Sequence, residues 1–159
     1  MNNYADKILV LDNVLSKDEC EDLINFYKEI GPTKQHRDTF VLSLSDTMAS
    51  KNISKIVNAY NNFSKYGIEV GWCEIVEWPP KSFHPAHNDD ANIDISFTSV
   101  TYLNESYRDG RTFFINGIEI MPKIGRTVYF DGLHYRHGVT QVDVGVRYTL
   151  PIWYKKTNI

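Results

Sequence analysis

Two periods divide the apolar positions of this 159-residue chain. Through position 67 they form two helical stripes with short strand-like runs between them. Lys7 to Leu11 is a short apolar run, as a strand requires. Ser16 then stands three residues ahead of Glu19, the spacing of a capping box, and opens the stripe Cys20, Leu23, Ile24, Tyr27 and Ile30. Gly31-Pro32 stops that helix. After a polar stretch containing His36 and Arg37, Thr39 to Leu44 reads as a strand, and Ile53, Ile56, Val57, Tyr60 and Phe63 make a second helical stripe ending near Gly67. Both helices are expected to pack on one face of a sheet.

From Ile68 onward the period shortens to two and turn residues punctuate it. Ile68, Val70, Trp72, Val76 and Trp78 alternate along one face, interrupted by Glu74, and Pro79-Pro80 ends the run. Further strands are expected at Ile95 to Leu103, Thr112 to Ile115, Ile118 to Met121, Arg126 to Phe130 and Val146 to Tyr154, with Asn116-Gly117 marking a hairpin. Antiparallel strands after a helical opening, with no βα alternation, predict a mostly β protein with N-terminal helices: a sandwich or jelly roll backed by helices. The length suits one domain spanning residues 1–159, with 1–67 as helical support and 68–159 as the jelly-roll core.

Composition narrows the function. No apolar run approaches the ~20 residues that span a bilayer, and the first residues lack a basic region followed by an apolar stretch, so no membrane partner and a cytoplasmic location are expected. Cys20 and Cys73 are the only cysteines, which argues against a disulfide framework or a thiolate zinc site. With a net charge of −3 and dispersed Lys and Arg, the chain has no stripe for a phosphate backbone, and nucleic acid is an unlikely partner. Nothing in the pattern sets an oligomeric state.

The chemistry-bearing residues cluster in the second half. His87 and Asp89, two residues apart, point to one side of an extended backbone and could share a metal; the plainer reading is a polar turn through Asn88, Asp89 and Asp90. Two imidazoles and one carboxylate can hold one face of an iron(II) ion and leave its other positions open. A third ligand must come from elsewhere. His36 lies in the helical half with nothing around it to suggest a site, and His84, three residues before His87, falls on the opposite face of an extended chain. His134 and His137 both follow the strand ending at Phe130 and both could face the pair. Arg147 shares a strand face with Thr149, Pro151 and Trp153, while Val146, Tyr148, Leu150, Ile152 and Tyr154 form a core-like face. An arginine there is either at a wet edge or paired with an anion, because a buried guanidinium without a partner is costly.

Several fragments, in order, resemble the 2-oxoglutarate and iron(II)-dependent oxygenases, in particular their prolyl 4-hydroxylase-like branch. They are Val76-Glu77-Trp78-Pro79-Pro80, Phe83 followed by His87-Asn88-Asp89, Thr101-Tyr102-Leu103-Asn104, Gly110-Arg111-Thr112-Phe113-Phe114, Met121 to Arg126, His137-Gly138-Val139, Gly145-Val146-Arg147-Tyr148 and Trp153-Tyr154. The resemblance covers roughly the C-terminal half. It implies a double-stranded β-helix (jelly roll), with His87, Asp89 and His137 holding Fe(II), since the second family histidine is followed by Gly-Val and, about ten residues on, by the basic residue that holds the co-substrate. On this pattern His134 stands three residues too early. Arg147 and Tyr102 are then expected at the far carboxylate of 2-oxoglutarate, with Trp153 and Trp78 as apolar walls. The chain departs from the family in having Trp78 where a tyrosine is usual and Asp109 where a second glycine often precedes Gly110.

The resemblance implies a dioxygenase that uses Fe(II), 2-oxoglutarate and O2, with ascorbate as a reductant, to hydroxylate a C–H bond and release succinate and CO2. The branch favours a prolyl residue in a polypeptide, with His36 to Ser45 or Asn88 to Asp94 as lids. A free amino acid or other small-molecule substrate is the alternative, as is a non-catalytic jelly-roll binding module. Oxygenases that repair alkylated bases usually carry a second arginine about six residues after the first, where this chain has Trp153.

Overall fold

The computed structural model describes residues 8–64, 67–89, 95 and 97–156. The chain runs β1 (Leu9–Leu11), α1 (Lys17–Ile30), β2 (Lys34–His36), β3 (Thr39–Leu44), α2 (Ser50–Phe63), β4 (Ile68–Trp78), β5 (His84–His87) and β6 (Phe97–Tyr102). It continues through β7 (Arg108–Asp109), β8 (Thr112–Phe114), β9 (Glu119–Ile120), β10 (Thr127–Phe130), β11 (His137–Val139), β12 (Val142–Val144) and β13 (Arg147–Lys156). All pairings are antiparallel. A seven-stranded sheet has the order β1-β10-β6-β13-β4-β3-β2, and a four-stranded sheet has the order β5-β11-β8-β9. A short β12-β7 ribbon completes the β structure.

The helices cover one face of the large sheet, as their stripes require. Cys20, Leu23 and Tyr27 from α1 and Ile56 and Tyr60 from α2 are buried with Cys73, Ile75, Leu150, Ile152 and Tyr154 of the sheet. The capping box is formed: Ser16 Oγ accepts from Glu19 N–H at 3.1 Å, and Glu19 accepts from Ser16 N–H at 3.0 Å. Gly31, at φ +84, ends α1 in a conformation that glycine tolerates readily. By contrast α2 begins at Ala49 with no side-chain cap, so its start carries no sequence signal. Ile30 and Phe63, expected on the stripes, close their helices facing solvent. A second core of Tyr102, Phe114, Ile120, Val128 and Phe130 fills part of the space between the sheets.

The expected single apolar face of β4 is corrected by a bulge. Trp153 pairs with Trp72 but Tyr154 pairs with Val70, so Gly71 is an extra residue and the strand changes face there. Ile68 joins the helix-side core with Cys73 and Ile75, whereas Trp72, Glu74, Val76 and Trp78 face the space between the sheets. A side chain at residue 71 would press on the Trp153 carbonyl oxygen at 3.0 Å, which explains the glycine. The Asn116-Gly117 hairpin forms as expected, with Gly117 at φ +94, though its strands are shorter than predicted. The segment His36 to Ser45 contains the β2–β3 turn and β3, which lies between β4 and the edge strand β2; residues 90–94 of the other expected lid lie outside the described residues. No helix among the described residues is long and apolar enough to cross a membrane.

Ser16→Ala removes one half of the capping box and is expected to lower unfolding free energy by about 1 kcal/mol. Urea denaturation should show a lower midpoint with an unchanged slope.

Candidate active site

Between the sheets lies a cavity of about 1030 Å³. His87 from β5 and His137 from β11 sit opposite each other in the small sheet's ladder, and Asp89 follows β5. One ligand atom from each of the three lies within 4.8 Å of the others. His137 Nε2 is 3.3 Å and His87 Nε2 3.6 Å from Asp89 Oδ1.

Backbone and neighbours fix which atoms face that point. His87 Nδ1 is 2.9 Å from the Pro85 carbonyl oxygen, and His137 Nδ1 is 2.7 Å from that of Tyr135. Each carbonyl accepts an Nδ1–H, which leaves the Nε2 lone pair for a ligand. Thr98 donates its hydroxyl to Asp89 Oδ2 at 2.6 Å, so Oδ1 is the free carboxylate oxygen. Asp89 N–H donates to the Gly132 carbonyl, holding the residue against the 131–135 turn. Burial pushes the Asp89 carboxyl up, but the neighbouring His137 and His87 imidazoles and the Thr98 hydroxyl outweigh it and hold it below the usual carboxylate range. Two imidazole nitrogens and one carboxylate oxygen suit an iron(II) ion.

A bulge also corrects the expected position of His84. His137 pairs with His87, but Val139 pairs with His84, so three steps of β5 match two of β11. The extra residue brings His84 and His87 to one side, with ring centroids stacked at 3.9 Å. Burial, with the charges of His87 and Arg37 adding to it, pushes the His84 imidazole down to about 4. His36, for which the sequence suggested no site, lies in the cavity wall edge-on to His84 at 5.9 Å. His134 is exposed and bonds Asp131 at 2.8 Å, away from the triad.

Arg147 occupies the far end of the same cavity. It is 1% exposed, and its polar contact is one hydrogen bond, from Nη2 to Thr112 Oγ1 at 3.2 Å. Nε and Nη1 are buried without a hydrogen-bond partner, and among the described residues no carboxylate pairs with the guanidinium. Aromatic faces flank it: Cζ lies 4.6 Å from the Trp78 ring centroid and 5.5 Å from that of Tyr102. Burying a cation this way is costly unless an anion joins it. The residues therefore fit a carboxylate ligand reaching in from the metal end.

The remaining expected residues take distinct places. The Tyr102 hydroxyl is 2.6 Å from Thr112 Oγ1, so Tyr102, Thr112 and Arg147 form one polar chain. Trp78 pairs directly across from Arg147 and donates its indole N–H to Thr149 at 3.2 Å. Trp153 instead stands beside Thr98 and stacks on Trp72 at 5.0 Å, walling the metal end. Sequence reading missed Thr98, Thr112 and Gly132. Thr98 lies on a strand face with no motif of its own, Thr112 lies within the Gly110 to Phe114 fragment but was given no role, and the role of Gly132 depends on a contact across the fold.

No family model matches the sequence, and no curated protein matches it. Solved structures do. A viral collagen prolyl hydroxylase from Paramecium bursaria Chlorella virus-1, in a 2-oxoglutarate complex, is similar with a TM-score of 0.78 and 21% identity over 98% of each chain. A Pseudomonas putida prolyl-4-hydroxylase gives 0.73 and 20% identity, over 95% of this chain and 93% of that one. A Trichoplax adhaerens prolyl hydroxylase, in complex with a peptide fragment of the hypoxia-inducible factor oxygen degradation domain, gives 0.74 and 17%, over 93% of this chain and 83% of that one. The likeness establishes the fold, a jelly roll, as the sequence led us to expect.

A Cβ on Gly132 would land on Asp89 Oδ2 and lie 2.9 Å from Thr98 Oγ1. Thr98→Val is expected to weaken iron(II) binding about 10- to 100-fold. Gly132→Ala should weaken it at least as much by displacing the carboxylate. Metal titration, with circular dichroism as a check on folding, measures both.

Proposed function

We propose that this protein is a 2-oxoglutarate- and Fe(II)-dependent dioxygenase that hydroxylates a prolyl residue in a polypeptide, releasing succinate and CO2. One observation carries the reading: a buried guanidinium without an acidic partner shares a cavity with a compact His-Asp-His cluster. Neither half explains the other in a protein lacking both ligands. A diacid that touches the metal with one end and Arg147 with the other satisfies both.

In this reading His87 Nε2, Asp89 Oδ1 and His137 Nε2 hold iron(II), and the chain acts as one domain. When bound, iron(II) with 2-oxoglutarate and dioxygen supplies the oxidising power that converts a substrate C–H bond to C–OH. The protein contributes placement. The carbonyls of Pro85 and Tyr135 keep both imidazoles in the ligating tautomer, and Thr98 leaves Asp89 one oxygen to offer. Arg147 pairs with the far carboxylate, and the Tyr102–Thr112 pair fixes the position of its Nη2. Phe130, edge-on to His137 at 4.6 Å, and Trp78 keep water from the polar groups they cover.

The cavity is larger than a five-carbon diacid needs. Its metal end is walled by the stacked Trp72 and Trp153, of which Trp72 is 41% exposed. Flat apolar faces at a mouth of this kind suit an aliphatic ring carried on an extended chain. The peptide bound by the Trichoplax adhaerens enzyme supports a polypeptide substrate on the same fold.

Anaerobic addition of iron(II) and 2-oxoglutarate should produce a weak visible charge-transfer band; its absence would favour a binding module without catalysis. His87→Ala and Asp89→Ala should each abolish succinate release, and full turnover in either would reject the triad. Arg147→Ala should raise the 2-oxoglutarate concentration needed for half-saturation, by about 10- to 100-fold if a charged hydrogen-bonded pair is lost. A proline-containing peptide panel read by succinate release tests the substrate.

A further inference from the structure

The buried side-chain nitrogen and oxygen atoms left without a hydrogen bond, among the described residues, are Arg147 Nε, Arg147 Nη1 and Tyr107 Oη. They belong to two residues that meet at one place. Gly110, at φ +62, leaves open the point where the two side chains converge: a Cβ there would lie 3.4 Å from Tyr107 Cε2 and 3.3 Å from Arg147 Cδ. Cε2 adjoins the carbon that bears the hydroxyl, so phenol and guanidinium share one buried space. The Tyr107 ring is part-exposed while its oxygen is enclosed. Burial pushes the phenol up, opposed by the charge and close approach of the Arg147 guanidinium, so at neutral pH the hydroxyl keeps its proton; the two groups are near each other without a well-formed hydrogen bond between them.

Unpaired buried donors are rare in folded proteins, and each one calls for an explanation. Here a guanidinium with two unpartnered nitrogens lies beside an unpartnered hydroxyl, within a structure whose other described buried side-chain groups are satisfied. A carboxylate offers enough lone pairs to accept from both. We infer that Tyr107 is a co-substrate-binding residue, its hydroxyl donating to the same far carboxylate that Arg147 pairs with. The inference rests on the proposed function and adds a donor that no sequence motif marked. It also accounts for Gly110: a side chain there would press on Val142 Cγ2 at 2.8 Å and crowd the place where phenol and arginine meet.

The test is Tyr107→Phe, which keeps the ring and removes the hydroxyl. Calorimetric titration of iron(II)-loaded protein under nitrogen compares 2-oxoglutarate with 2-oxopentanoate, which carries a methyl group in place of the far carboxylate. The variant should bind 2-oxoglutarate about tenfold more weakly or worse, about 1.4 kcal/mol per factor of ten, and bind 2-oxopentanoate like the unaltered protein. Without ligand its thermal midpoint should equal or exceed that of the unaltered protein, because a buried unsatisfied group has been removed. Unchanged 2-oxoglutarate affinity, equal weakening toward both acids, or a lower ligand-free midpoint with unchanged affinities would each overturn the inference. If the unaltered protein binds no 2-oxoglutarate, the functional reading fails and this inference with it. If it binds and the variant binds equally well, the inference fails alone.

Discussion

A cation buried without an anion organises this structure. Among the described residues Arg147 is one of the largest fully buried side chains, and there it meets two aromatic faces, one threonine hydroxyl and no carboxylate. Enclosing a charge this way costs several kcal/mol. The core on the other side of the large sheet, where Tyr148, Leu150 and Ile152 of the same strand pack against the helices, helps offset that cost. One strand thus carries a stabilising face and a destabilised one. Proteins tolerate such a group where a ligand completes it, and its position sets the depth of the cavity and the charge of what enters.

Distance along the large sheet then sets the length of that ligand. Thr98, which holds Asp89, and Tyr102, beside Arg147, are four residues apart on β6, or roughly 13 Å at about 3.3 Å per residue. Two bulges tune the walls of this space. The one at Gly71 turns Trp72 and Glu74 toward the cavity, and the one in β5 stacks His84 against His87. Each re-aims side chains that the alternation of a regular strand would send to the other face.

These bulges also mark where the sequence stopped being readable. The helix stripes, the Ser16 cap, the Asn116-Gly117 hairpin and the alternation from Arg147 to Trp153 are local patterns, and the structure forms each of them. The pairing of His87 with His137 across the small sheet was accessible through family resemblance rather than through spacing, because nothing local separates His137 from His134. His84 departs from the alternation of a regular strand because Pro85 and Ala86 form a bulge, and the proline is the one local sign of it. His36 was dismissed because β2, a three-residue edge strand of exposed residues, shows no alternation to detect. Thr98, Thr112, Tyr107 and Gly132 acquire meaning only from contacts between segments distant in sequence or separated by a turn.

The locked imidazoles carry one more consequence. With both Nδ1 atoms tied to backbone carbonyls, the ligand set is shaped before any ion arrives, and it contains no thiolate. Such a set does not discriminate by softness: two imidazoles and a carboxylate bind cobalt(II), nickel(II) and zinc(II) more tightly than iron(II) in the ordinary order of divalent affinities. Occupancy is therefore decided by supply. If the proposed function holds, protein isolated from a zinc- or nickel-rich medium is expected to carry that metal, so its metal content would record its history as much as its chemistry.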